Sequence, residues 1–123
     1  MPSYNISQGA GITQVYVQAC FLGSDLTVII TAGKAHVGAI ALAVPCAHNA
    51  EGVLASCSVV TAPGHRDNIP AETAALKLCK ALHCNVSVTA GLHIDQASKE
   101  EIMTLVDNST KAVDILISKI KEG

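Results

Sequence analysis

The sequence predicts an α+β domain of two layers, a mainly antiparallel sheet with two helices on one face, in the order ββββαβα. Three observations predict it. Strand-like apolar segments at 13–20, 26–32, 37–44 and 53–61 follow one another through connections too short for helical crossovers, which argues for antiparallel pairing. Ala71, Ala74, Ala75, Leu78, Cys79 and Leu82 recur at helical spacing. Residues 85–101 read as a strand, a polar turn and a helix start, with Ser98 and Glu101 at capping-box spacing.

Residues 1–11, with Gly9 and Gly11, read as a loose lead-in. Val15, Val17 and Ala19 share one face of the first strand, and Leu22-Gly23-Ser24-Asp25 turns it into the second. The segment 37–44 is apolar throughout, the pattern of a strand buried on both faces, and Gly38 and Ala39 leave room for another backbone. Residues 45–52 read as a polar connection to the fourth strand. Asp67 or Asn68 is placed to cap a helix running to about residue 82, with Pro70 tolerated in its first turn. The fifth strand covers 85–91. The last helix runs from 99 to about 121, with Ile102, Leu105, Val106, Val113, Leu116, Ile117 and Ile120 as its apolar stripe and Asp107-Asn108-Ser109 as a weak middle.

The 123 residues make one domain, 1–123, large enough for its own core. Half of them are apolar but only 2% aromatic, so Val, Ile, Leu and Ala must build that core. Such aliphatic content in a short chain points to surface buried in a homo-oligomer. A net charge of −2 gives no electrostatic case for nucleic acid. No apolar run reaches the roughly 18 residues of a membrane span, and the first residues lack the pattern of a signal peptide. The 5 cysteines contain no C-x-x-C pair, which favours reduced thiols in the cytoplasm over disulfides or a zinc site.

Three loops concentrate the polar chemistry: Gly33 to His36, Gly64 to Asp67, and Gly91 to Asp95. Each joins a glycine, a histidine and a charged residue. Val28-Ile29-Ile30-Thr31-Ala32-Gly33 and Val86-Ser87-Val88-Thr89-Ala90-Gly91 end in the same Thr-Ala-Gly, so the two strands are expected to bring their exits together. Arg66, the one arginine, is either a fork for a carboxylate or phosphate beside a helix start, or a surface partner of Asp67 or Glu72. His93 and Asp95 form either an oriented imidazole for acid–base work or a local Asx turn. The histidine spacings do not match a metal site, and no phosphate loop or nucleophile elbow is present. His48 and His83 stand outside these loops.

His36-Val37-Gly38-Ala39-Ile40-Ala41-Leu42-Ala43, Pro63-Gly64-His65-Arg66-Asp67 and Thr89-Ala90-Gly91-Leu92-His93-Ile94-Asp95 with Glu100-Glu101 resemble the LpdD-like family, to which the small D subunit of gallate decarboxylase belongs. The match runs from about Val15 to the end of the chain. The resemblance implies a fold similar to proteasome assembly chaperones. It implies a non-catalytic accessory protein for a UbiD-like decarboxylase, with prenylated flavin as the cofactor handled. The positions it carries over as ligand- or partner-binding are His36, Gly38, His65, Arg66, Asp67, Gly91, His93 and Asp95. Two functions follow as expectations. One is a chaperone-like assembly protein with an exposed apolar face. The other is a small enzyme or anion-binding protein whose loops at His36, His65–Arg66 and His93–Asp95 meet at one sheet edge in a shared pocket.

Overall fold

Alternating burial runs through nearly every strand of the sheet, because one face carries the helices and the other carries nothing. The computed structural model describes residues 2–64 and 67–123, leaving His65 and Arg66 outside it. The elements are β1 (Ser3–Gln8), a single 3-10 turn (Gly11–Thr13), β2 (Val15–Leu22), β3 (Asp25–Gly33), β4 (Ala39–Asn49), β5 (Gly52–Thr61), α1 (Asn68–Leu82), β6 (Val86–His93) and α2 (Lys99–Glu122). One sheet has the order β1-β2-β3-β6-β4-β5. All neighbours are antiparallel except β3 and β6. This is the two-layer α+β architecture that the sequence predicts, with one strand more. No helix among the described residues is long and apolar enough to cross a membrane.

The extra strand is β1, where the sequence suggests a loose lead-in. It pairs with β2 from Ser3↔Cys20 to Gln8↔Val15, and Ile6 is buried under α2. Gly9 then turns with φ +89 against Asn108, and a Cβ there would lie 2.3 Å from Asn108 Nδ2. That amide donates to Thr13 O at 2.9 Å. The Asp107-Asn108-Ser109 stretch therefore does not weaken α2, which runs unbroken from Lys99 to Glu122. Asp107 stays exposed while Asn108 and Ser109 are buried, and Asn108 fastens the N-terminal segment to the helix.

Val, Ile and Ala positions of period 2 form the core: Val15, Val17, Leu26, Val28, Ile30, Ala41, Ala43, Val86 and Val88 are all at most 2% exposed. Ala71, Ala74, Ala75, Leu78 and Cys79 of α1 and Leu105, Ala112, Val113 and Leu116 of α2 close over them. Two details differ from the sequence reading. The segment 37–44 is not buried on both faces: Ala39, Ala41 and Ala43 are buried, whereas Ile40 and Leu42 are 46% and 47% exposed. Residues 45–52 are not a separate connection, because β4 continues through Pro45 with a bulge before Ala47 and turns tightly into β5.

The uncovered face has a distinctive chemistry. The strand registers place Asn5, Gln18, Ile29, Thr89, Ile40 and Val60 in one row across all the strands. Ser3, Cys20, Thr27, Ser87, Leu42 and Ser58 form the next. Neither row contains a charged side chain.

Candidate functional site

The β3–β4 connection must cross the end of β6, because β6 is inserted between those two strands. Residues 34–38 make that crossing, and two glycines permit it. A Cβ on Gly91 would lie 1.6 Å from His36 O. Gly38 N–H donates to Ala90 O at 3.0 Å, and Gly38 O accepts from Ala62 N–H at 2.8 Å. A Cβ on Gly38 would lie 1.8 Å from Asp67 Oδ2. Both glycines are there for close approach rather than for unusual dihedrals.

Asp67 occupies the N-cap position of α1, yet its backbone is helical and its side chain caps nothing. This corrects the capping role suggested by the sequence. The carboxylate instead reaches sideways. Its Oδ2 lies 2.9 Å from His36 Nε2, and its Oδ1 accepts Leu92 N–H at 3.0 Å. The last pair of β4 with β6 is Ala39↔Ala90, so Leu92 N–H has no strand neighbour on that side. The buried carboxylate takes that neighbour's place, which satisfies an amide that would otherwise be stranded.

His36 faces acceptors with both ring nitrogens, since Nδ1 lies 2.9 Å from Lys34 O. A carbonyl only accepts, so Nδ1 carries a proton. When Nε2 is protonated as well, the second bond closes on the Asp67 carboxylate as a charge-assisted pair. The His93 ring stands beside it, with centroids 6.3 Å apart and planes at 84°. The parallel register Gly33↔His93 and the bond from Lys34 N–H to His93 O at 2.8 Å bring the two strand exits together. His93 Nε2 lies 2.9 Å from Asp95 Oδ1, so the oriented-imidazole geometry forms, on the exposed side of the cluster.

The structure thus gathers His36, Gly38, Asp67, Gly91 and His93 at one end of the sheet, with Asp95 attached through His93. His65 and Arg66 fall outside the described residues; in the chain they directly precede Asp67. Among the described residues no three His, Cys, Asp or Glu side chains are placed to hold a metal ion. Sequence reasoning missed the Leu92 amide and the Lys34 carbonyl, because backbone partners leave no residue-type signal.

A cleft of about 310 Å³ opens beside this cluster, between the exit of β6, the start of α1 and α2. Asp67 and His93 lie at one end of it, and Leu92, Ile94, Ile102, Leu105 and Val106 make its walls. A smaller cavity of about 100 Å³ between the two helices shares Pro70, Val106 and Ser109 with it. Ile102 and Val106 are therefore not packed on the sheet as the helical stripe suggests. They are 50% and 57% exposed, on the rim of the cleft.

A sequence model of the family described as "Prenylated flavin chaperone LpdD-like domain" matches residues 9–121. No curated protein sequence matches the chain. Among solved structures, one reported as the crystal structure of a novel chaperone complex for yeast 20S proteasome assembly is similar. Its TM-score is 0.60 at 13% sequence identity, over 99% of this chain and 98% of that one. At that identity the likeness concerns the fold, and it is the proteasome-assembly-chaperone-like fold that the sequence implied.

Proposed function

The chain belongs to the family of prenylated flavin chaperone LpdD-like domains, and from that premise we propose that it is a non-catalytic accessory protein that assists assembly or cofactor handling of a UbiD-like decarboxylase, and that it works as a homo-oligomer in the cytoplasm. The observation that carries the reading is the uncovered face of the sheet. Ile29, Ile40, Leu42 and Val60 are 44%, 46%, 47% and 73% exposed there, in rows without a charge. A lone domain keeps such a face charged to stay apart from its neighbours, whereas an assembly protein needs a surface of this kind. Its hydroxyl and aliphatic side chains repel neither a second copy nor another sheet.

The polar cluster supports the same reading. Both Asp67 oxygens are engaged in holding loops together, which suits a scaffold better than a proton-transfer group. In this proposal His36, Gly38, Asp67 and Gly91 shape the partner- or ligand-binding end of the sheet, and His65, Arg66, His93 and Asp95 supply its polar contacts. The test is a pull-down from native extract with mass spectrometry and flavin detection. Recovery of a UbiD-like decarboxylase with wild type, and its loss with Arg66→Ala or His93→Ala folded as wild type, is expected. Equal recovery with and without those side chains would remove the cluster from the partner contact.

A further inference from the structure

We propose that the free edge of β5 pairs with the same edge of a second copy of this chain, across a twofold axis at Cys57, so that two sheets join into one. This contact is separate from the open face of the sheet and does not depend on it.

β5 ends the sheet, and among the described residues only β4 pairs with it. Its sequence, Gly-Val-Leu-Ala-Ser-Cys-Ser-Val-Val-Thr, runs for 10 residues without a charge or a proline. Edge strands are ordinarily kept short, charged or interrupted by proline, because their unpaired N–H and C=O groups template another strand. β1, at the other edge, has only 6 residues and follows Pro2. The unprotected edge is β5.

The order of β5 also reads alike in both directions about Cys57, which is what a twofold contact requires. Directly opposed residues of an antiparallel pair share a face. With the axis at Cys57, Leu54 meets Val60 of the second copy, Ala55 meets Val59, Ser56 meets Ser58, and Cys57 meets itself. Apolar groups face apolar groups and hydroxyls face hydroxyls. An axis at Ser56 would set Leu54 against Ser58, and an axis at Ser58 would set Val60 against Ser56, so neither keeps the match.

The helix above the edge fits the same axis. α1 packs over β4 and β5. Burial first, and the Glu72 carboxylate second, push the Cys57 thiol up. Burial first, then Cys46 and Cys57, push up the thiol of Cys79. The stretch of α1 from Glu72 to Cys79 therefore lies over Cys57, with Leu76 at its middle. α2 takes the side of α1 that carries Thr73 and Lys77, where Lys77 pairs with Asp114. Glu72, the half-buried Leu76 and Lys80 follow at i, i+4 spacing on the other side. Paired strands lie ~4.8 Å apart, so an axis at the β5 edge sets the two α1 helices roughly 10 Å apart, the spacing of packed helices. Leu76 then meets Leu76, and Glu72 of each copy meets Lys80 of the other. One axis matches the strand, an apolar contact and two ion pairs, and that self-complementarity selects a second copy as the occupant.

The test uses Leu42→Glu/Cys46→Ser, which takes the open face and the most exposed thiol out of the measurement. A contact of this size is weak. The variant should sediment as a single chain at ~10 µM and as a reversible dimer toward ~500 µM, with a dissociation constant on the order of 100 µM. Oxidation with copper–phenanthroline at the upper concentration should link Cys57 to Cys57, identified by peptide mass. Opposed Cα atoms lie ~4.5–5.5 Å apart, within the ~4.4–6.8 Å that a disulfide spans. Cys57→Ser should lose the link and keep the dimer. Glu72→Lys should weaken the dimer about threefold to tenfold, since lysines then oppose each other, and adding Lys80→Glu should restore it.

A single chain at every concentration overturns the proposal and leaves the edge to a strand of another protein. A dimer that oxidation does not link through Cys57 overturns it, as does a dimer whose loss in Glu72→Lys is not restored by Lys80→Glu. Wild type sedimenting as a single chain at micromolar concentration would refute assembly through the open face and leave this edge contact standing.

Discussion

His36 Nε2 and Asp67 Oδ2 lie 2.9 Å apart although 31 positions separate them in the chain. That contact joins the β3–β4 crossing to the start of α1, and the second carboxylate oxygen ties both to β6 through Leu92 N–H. Removing the carboxylate leaves a buried amide and an imidazole without their acceptor. Asp67→Ala should therefore cost about 2–4 kcal/mol in urea unfolding. Asp67→Asn should cost less, about 1 kcal/mol, because an amide can accept Leu92 N–H and donate to the unprotonated Nε2. Equal losses in the two variants would mean that the carboxylate's shape, not its hydrogen bonding, matters there.

The crossing makes a steric prediction independent of charge. A methyl group on Gly91 would meet the backbone oxygen of His36, and one on Gly38 would meet the Asp67 carboxylate. Backbone gives way less readily than a side chain. Gly91→Ala should thus lose at least ~2 kcal/mol, and Gly38→Ala somewhat less. Gly38→Ala should also disturb the histidine signals in NMR spectra, since Asp67 must move away from His36. A Gly91→Ala protein as stable as wild type would mean that the connection does not pass over β6 as described.

These residues also mark the limits of what the sequence discloses. Period-2 and helical spacing specify the strands and helices well, because burial on one face writes itself directly into residue type. The shared Thr-Ala-Gly endings of β3 and β6 anticipate that their exits come together, and the structure brings them together by parallel pairing, with Gly33 opposite His93. The N-terminal strand is not legible, because Ser3, Asn5 and Ser7 lie on the face without helices and only Ile6 and the half-buried Tyr4 report the core. The two-sided burial read into 37–44 fails for a related reason. Ile40 and Leu42 are apolar yet lie on the open face, outside this chain's own core, and composition alone does not distinguish the two placements. The role of Asp67 is hidden because one partner is a backbone amide on another element.

The thiols give a pH prediction. Burial, more than any neighbour, pushes the Cys57, Cys79 and Cys84 thiols above their ordinary range. The unfolded chain ionises first, so the stabilising contribution is complete below the unfolded value and is lost as pH rises past it. Urea midpoints should fall between pH 7 and pH ~9.5. That fall should shrink when Cys79 and Cys84 are both replaced by Ala and compared with their own pH 7 midpoint. At neutral pH a thiol reagent should modify exposed Cys46 well before either buried thiol. Early modification of Cys79 in folded protein would contradict its burial.

The open sheet face makes the last prediction. Ile40 and Leu42 project from β4 between Thr89 and Ser87 of β6 on one side and Val60 and Ser58 of β5 on the other. Each is close to half exposed, so neither contributes much to the fold of the single chain. A carboxylate at Leu42 would remain hydrated in a free subunit, leaving far-ultraviolet dichroism and the urea midpoint of that subunit little changed. Pressed against a second sheet it would lose its water without gaining a cation, because the facing rows hold none. Wild type at micromolar concentration should sediment as a multiple of the 12.7 kDa chain, and Leu42→Glu as the single chain. Glu at Val106, on the helical side, should leave the assembly intact. Wild type sedimenting only at 12.7 kDa would refute self-association, and an assembly untouched by Leu42→Glu would move its interface off this face.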